Sequence, residues 1–77
     1  MNEETTLENL QNYISNRIYQ LRISKHMSAR KLSLSLGMSS GYINKIENFK
    51  TIPSIPTLFE ICLFFNMSLQ EFFADFN

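Results

Sequence analysis

The sequence contains few of the residues that cross-link a chain, bend it sharply or bind metals. Its 77 residues include two glycines, two prolines, one histidine, one cysteine and no tryptophan. Cys62 alone cannot form an internal disulfide or a thiolate metal site, and a reduced cytoplasmic setting is the default for such a chain. No apolar run approaches the roughly 20 residues that span a bilayer, so we expect no contact with a membrane.

The residues that catalysis requires are equally scarce. No cluster of histidine, cysteine or paired carboxylates has catalytic or metal-ligand spacing, and no glycine-rich phosphate loop is present. His26 is expected at the surface between two helices, and Cys62 is expected as a small buried hydrophobe. We therefore predict that the chain is not an enzyme and has no cofactor, metal site or small-molecule ligand.

Helix signals dominate what the sequence does contain. Apolar residues follow helical spacing from Leu7 to about Ile23, after a capping box formed by Thr5 and Glu8. Four serines are predicted to cap the later helices: Ser28, Ser39, Ser54 and Ser68. The sequence thus predicts one all-α domain over residues 1–77, a compact bundle of about five helices with a short acidic tail at about 1–5.

The second and third predicted helices are joined by a tight turn. Leu32 and Leu36 mark a buried stripe that ends at Gly37, where glycine can adopt a left-handed conformation without steric cost. Ile43 and Ile46 are the inward residues of the helix that follows. Two short helices around a glycine form a helix-turn-helix.

The charge is gathered around this segment. All seven basic residues lie between positions 17 and 50, where Glu47 is the single acid, so a net charge of zero conceals a middle of +6 between acidic ends. A basic helix-turn-helix with acidic flanks points to a polyanion, and double-stranded DNA is the obvious candidate.

The outward face of the third helix carries side chains suited to a DNA major groove. With a step of 100° per residue, this face holds Gly41, Asn44, Lys45 and Asn48, flanked by Ser40 and Tyr42. Lys45 can donate to guanine, and either asparagine can pair with adenine. Phosphates could bind the side chains of Ser39 and Tyr42 and the amides of Ala29 and Arg30. Without context, however, an ordinary solvated helix has the same residue types.

The order of residues resembles the lambda-repressor-like (Cro/repressor, xenobiotic-response-element) helix-turn-helix family between about Ile14 and Phe73. The matching positions are Leu21-Arg22, Met27-Ser28, Leu32-Ser33, Leu36-Gly37-Met38-Ser39, Tyr42-Ile43, Lys45-Ile46-Glu47-Asn48, Lys50, Pro53-Ser54, Leu58 and Asn66-Met67-Ser68-Leu69. The resemblance implies a sequence-specific DNA-binding transcriptional regulator, commonly a dimer, with its third helix (about 40–48) in the major groove, and we expect a repressor.

Position by position, the resemblance also implies roles for individual residues. The base-reading positions are those of Ser40, Gly41 and Lys45. The phosphate-contacting positions are those of Ala29, Tyr42, Asn48 and Lys50. The resemblance further implies an internal ion pair between Arg22 and Glu47. Two departures stand out: Ala29 replaces a frequent glutamine, and Phe49 replaces a common glycine, so Asn48 is expected to adopt the left-handed conformation instead.

Two questions of partnership stay open at the level of sequence. Leu63, Phe64 and Phe76 could form a homodimer interface, or Phe76 could instead be covered by Leu7 and Leu10 within one protomer. The alternative function is a protein-interaction or antitoxin-like module on the same fold, with weak or no operator binding. Short recognition side chains and a net charge of zero favour that alternative.

Overall fold

Five helices make up the part of the protein that the structure describes, residues 6–76 of a computed structural model. They are α1 (Leu7–Ser24), α2 (Ala29–Ser35), α3 (Tyr42–Glu47), α4 (Ile55–Phe64) and α5 (Leu69–Phe72). No strand occurs within residues 6–76, and the predicted all-α bundle is confirmed. None of the helices in this range is long and apolar enough to cross a membrane.

Side-chain caps begin four of the five helices. Their hydroxyl oxygens accept from the backbone N–H three residues later at 3.0–3.3 Å, and the capping residues are Thr6, Ser28, Ser54 and Ser68. The backbone N–H of Ser68 also donates to Glu71 Oε1 at 2.9 Å, which completes the capping box of α5. Three of the four predicted serine caps, Ser28, Ser54 and Ser68, are therefore confirmed. Thr5, the predicted cap of α1, lies outside the described residues. Each such cap stabilises its helix by about 1 kcal/mol.

The cap of α3 was predicted incorrectly. Gly41, not Ser39, is the N-cap residue, and no side chain of its own segment caps α3. Ser39 instead accepts the N–H of Tyr42 at its carbonyl, as a turn. The missing cap comes from α2, because the buried Ser33 hydroxyl accepts the N–H of Ile43 at 2.9 Å and donates to the Ala29 carbonyl at 2.8 Å.

Four helices end in the same left-handed turn. The residue after the C-cap has a positive φ in each case: His26 (57°), Gly37 (75°), Phe49 (62°) and Asn66 (58°). After α3, the N–H of Lys50 donates to the Lys45 carbonyl at 2.8 Å and that of Phe49 to the Ile46 carbonyl at 3.1 Å. The other three ends have the equivalent pair of bonds, the Schellman motif.

The prediction that Asn48 takes the left-handed conformation is wrong. Asn48 has a φ of −100°, and its N–H donates to the Asn44 carbonyl at 3.0 Å, so it closes the last turn of α3. The Schellman bonds then force the positive φ onto Phe49, one residue later.

The core lies where all five helices meet. Its buried side chains are Ile14, Ile18, Leu32, Ile43, Ile46, Leu58, Ile61, Cys62, Phe65 and Phe72. Cys62 is fully buried, as predicted. In addition, the Ser15 hydroxyl on α1 donates to the Ile46 carbonyl at 2.7 Å, which joins α1 to α3 by a buried polar contact. The helix-turn-helix is thereby fixed against the rest of the bundle.

Candidate nucleic-acid interface

The predicted contact residues lie around an exposed α3. Ile43 and Ile46 are fully buried, so the opposite side of the helix faces solvent. Eight of the ten predicted contact residues are exposed: Arg30, Ser39, Ser40, Gly41, Asn44, Lys45, Asn48 and Lys50. The other two, Ala29 and Tyr42, are half-buried.

An internal ion pair holds the C-terminal end of α3. Arg22 Nε lies 2.6 Å from Glu47 Oε2, and Arg22 Nη2 lies 2.7 Å from Glu47 Oε1, a bidentate arrangement. Arg22 Nη1 donates to the Met27 carbonyl at 3.1 Å, and the guanidinium lies 5.0 Å from the Tyr19 ring centroid. Hydrogen bonding to Glu47 raises the pKa of Arg22, with desolvation opposing. One contact thus joins α1, the α1–α2 connection and α3.

The same pair determines the charge of the surface. Among residues 6–76 it is the only ion pair. Glu47 is therefore neutralised by Arg22 and not by the cations near α3. No carboxylate in that range lies within 4.0 Å of the charged groups of Arg30, Lys31, Lys45 or Lys50. These four exposed cations leave the helix-turn-helix face positively charged.

The backbone at the start of α3 is accessible at Gly41, one of the predicted base-reading residues. A Cβ built on Gly41 would meet no heavy atom within 4 Å, and Gly41 has a φ of −96°. The fold therefore does not require glycine here, and the space beside it is open to a ligand. Asn44 and Lys45 follow within one helical turn, so these positions share one face.

Two phosphate-contact candidates, Tyr42 and Asn48, also make contacts within the protein. Burial raises the pKa of the Tyr42 hydroxyl, and a hydrogen bond with Thr57 in the first turn of α4 opposes this. Asn48 Nδ2 donates to the Asn44 carbonyl at 2.8 Å. Lys50 and Ser39 are exposed, and Ala29 can offer only its backbone amide.

Sequence reasoning missed the two buried serines that orient α3. Ser15 and Ser33 lie next to the apolar stripes of α1 and α2, beside Ile14 and Leu32, and both are almost fully buried. A small hydroxyl within an apolar stripe is the signal that could have indicated a helix-to-helix hydrogen bond. No group of three or more His, Cys, Asp or Glu residues in the described part of the chain could hold a metal ion.

Two short helices joined through a left-handed glycine, with an exposed cationic second helix, define a helix-turn-helix domain. Comparison with protein families agrees, since a helix-turn-helix family model matches residues 18–72. The chain therefore belongs to the Cro/C1-type helix-turn-helix family, whose members are DNA-binding regulators.

Part of the chain is similar in sequence to a bacteriophage protein. The chain is 38% identical over 49 residues to the ImmF control region 10 kDa protein of Bacillus phage phi105. The match covers 64% of this chain and 54% of the phage protein, so the chain spans about half the length of that relative. No solved structure matches the chain significantly.

Proposed function

We propose that the chain is a sequence-specific DNA-binding transcriptional regulator, acting as a repressor in the cytoplasm. In this proposal residues of about 40–48 enter the major groove of double-stranded DNA. The observation that carries it is the set of four exposed cations around α3 that have no acidic partner within the described residues. Such a face attracts phosphates, while α3 has the width that a major groove accepts.

The proposal divides the exposed residues between base edges and phosphates. Lys45 and Asn44 read base edges, with Ser40 and Gly41 at the point of closest approach. The second group contacts or orients the phosphate backbone: Ala29, Arg30, Ser39, Tyr42, Asn48 and Lys50. Within that group Lys50 and Arg30 supply charge, whereas Tyr42 and Asn48 help to position the backbone because their polar groups already bond within the protein.

A homodimer would let two such faces bind a two-fold symmetric site. The outer side of α4 carries exposed apolar residues at helical spacing, Ile55, Phe59 and Leu63, with Phe64 beside them. Phe76 fits the interface less well, because its ring centroid lies 5.2 Å from that of Tyr13 in the same protomer. We therefore place the interface on α4, with the two recognition helices about 34 Å apart.

The same apolar side of α4 favours a second candidate, the protein-interaction or antitoxin-like module. In that case α4 binds a different protein, and the basic face contributes little. The two candidates predict different behaviour toward DNA, which one experiment measures.

That experiment is the selection of bound duplexes from a random library at about 50 and 150 mM salt, because phosphate-only binding weakens steeply over this range. Wild type is compared with Lys45→Ala and with Lys25→Ala, a control that removes an exposed charge outside α3. We expect wild type to select duplexes with a two-fold symmetric motif. Lys25→Ala should select the same motif, whereas Lys45→Ala should select a different motif or none. Absence of duplex binding at both salts would favour the protein-interaction module.

A further inference from the structure

The end of α3 differs from the other helix ends in one residue. Among the four left-handed turns, three use residues that tolerate a positive φ: Gly37, Asn66 and His26. The fourth uses Phe49, a bulky residue for which this conformation is a genuine outlier. The same pair of backbone bonds closes all four turns, so the backbone alone does not favour phenylalanine here.

Packing within the protomer does not require phenylalanine here either. The Phe49 side chain is 51% exposed and lies outside the hydrophobic core. The ring contacts found within residues 6–76 join Tyr13 and other phenylalanines, and Phe49 takes part in none of them. The folded protomer therefore bears the strain of Phe49 although half of the side chain remains exposed and no other ring in the described residues packs on it.

The surroundings of Phe49 indicate what the ring could bind. It follows α3 directly and precedes Lys50, whose charged group has no acidic partner in the described range. It also lines a groove of about 360 Å³ with Asn16, Tyr19 and Asn48. The acid in that groove, Glu47, is paired with Arg22. The ring is thus a half-exposed apolar surface at the end of α3, next in the chain to the unpaired Lys50.

A duplex offers the complementary chemistry. Its deoxyribose rings lie between phosphates, and thymine methyl groups project into the major groove beside the backbone. An apolar ring next to an unpaired lysine matches such a surface, in which apolar carbon is flanked by negative charge.

We propose that Phe49 is a DNA-contacting residue, whose ring packs on deoxyribose or thymine methyl carbon beside a phosphate bound by Lys50. This inference rests on the proposed DNA-binding function. It explains why a strained, half-exposed aromatic residue directly follows α3, the recognition helix of the proposed function. The strain of Phe49 is then offset only in the complex.

The test compares the stability and DNA affinity of Phe49→Gly, using a duplex selected by the wild-type protein from a random library. Glycine removes the strain, so the melting midpoint should rise by about 4 °C. Loss of the ring should weaken DNA binding about three- to tenfold, which is the effect expected from no longer burying the exposed half of a phenylalanine side chain. The salt slope should stay unchanged, whereas Lys50→Ala should lower it by about 0.9.

Three controls separate this role from others. Asn66→Gly, at the equivalent position after α4, should leave affinity unchanged. Phe49→Leu keeps both the strain and an apolar side chain, so it should keep the wild-type midpoint and part of the affinity. Replacing thymine by uracil in the duplex removes the methyl groups and so identifies the contact. If wild type and Phe49→Gly bind the uracil duplex with equal affinity, the ring contacts thymine methyl groups. If wild type still binds it more tightly, the ring contacts deoxyribose.

Four outcomes would overturn the inference. Unchanged affinity of Phe49→Gly on a duplex that wild type binds would do so while leaving the proposed function intact. A lower melting midpoint of Phe49→Gly would assign the ring to folding. Loss of a homodimer in sedimentation equilibrium, together with the loss of affinity, would assign the ring to a protein interface. Failure of wild type to bind any duplex would instead refute the proposed function, and this inference with it.

Discussion

The two halves of this small bundle are held together by different kinds of contact. The helix-turn-helix half is fixed by directional polar contacts: the Ser33 hydroxyl to α3, the Ser15 hydroxyl to α3, and the Arg22–Glu47 pair. The opposite half is held mainly by ring packing, in which Tyr13 lies against Phe72, Phe73 and Phe76 with centroids 5.2–6.1 Å apart. Within residues 6–76, its one directional contact of this kind is the hydrogen bond that the Tyr13 hydroxyl donates to the Phe72 carbonyl at 2.5 Å.

The polar contacts explain how a helix of six residues is held at one orientation. Hydrophobic contact is non-directional and would allow α3 to rotate by small amounts. Hydrogen bonds to the two ends of α3 fix its angle, because their strength falls steeply with misalignment. A helix that reads base edges requires a fixed angle, whereas the aromatic half only has to exclude water. The comparison predicts that polar changes affect DNA binding beyond their effect on stability, and that aromatic changes do not.

The largest expected effect is that of Glu47→Ala. Removing the carboxylate leaves the Arg22 guanidinium largely buried without its partner, which should lower the free energy of unfolding by about 3–5 kcal/mol. In a domain of this size that loss would unfold a substantial fraction of the molecules. Urea unfolding followed by circular dichroism measures it. Glu60→Ala removes an exposed acid on α4 and should leave the midpoint nearly unchanged.

A double variant tests whether the pair serves orientation more than stability. Arg22→Met with Glu47→Leu replaces both charges by apolar side chains, and should recover most of the lost stability. We expect its DNA affinity to remain below that of wild type, because the bidentate contact that fixes the end of α3 is gone. Full recovery of both properties would show that ordinary packing orients α3 equally well.

The second prediction concerns Ser33→Ala. This change leaves the buried N–H of Ile43 without an acceptor, at a cost of about 1–3 kcal/mol. Ser35→Ala on the same helix is the matched control, since Ser35 is exposed and its replacement should change stability by only a few tenths of a kcal/mol. At a temperature where both variants are folded, only Ser33→Ala should weaken DNA binding. Equal affinities would contradict the orienting role of Ser33.

The third prediction addresses the aromatic half. Phe72→Leu keeps a buried apolar side chain of similar size but loses the ring contact with Tyr13, so it should destabilise the protein by up to about 1.5 kcal/mol. DNA affinity, corrected for the fraction folded, should equal that of wild type. A larger loss of affinity would mean that the aromatic half also sets the position of α3, and the contrast between the halves would fail.

The features that the sequence predicted are local, and those that it missed depend on contacts between helices. Helix-forming stripes, three of the four serine caps and the left-handed Gly37 are local patterns, and the sequence predicted them correctly. The Arg22–Glu47 pair came only from resemblance to a family, because nothing local places residues 25 positions apart in contact. The cap of α3 was missed because its hydroxyl, on Ser33, belongs to another helix.

Phe49 shows a different limit of sequence reasoning. Propensity favours asparagine over phenylalanine for a positive φ, and on that basis Asn48 was expected to adopt it. The position of the Schellman bonds decides the matter, however, and that position depends on where the last turn of α3 closes against the core. Tertiary structure therefore places the left-handed residue, and the local preference does not.

The smallest predicted effect is a loss of stability at alkaline pH that arises beside the aromatic half. Burial raises the pKa of the Cys62 thiol, with the nearby Arg17 opposing. Because the folded pKa lies above the unfolded one, the contribution is fully present below about pH 8.5 and is lost as the pH rises. The free energy of unfolding should therefore fall between pH 7 and pH 9 by at most about 0.8 kcal/mol, the limit for a thiol that stays fully protonated in the folded state. Urea unfolding at pH 7 and pH 9 measures this fall, and Cys62→Ala should abolish it. The same fall in Cys62→Ala would place its origin at another group and contradict the assignment to this thiol.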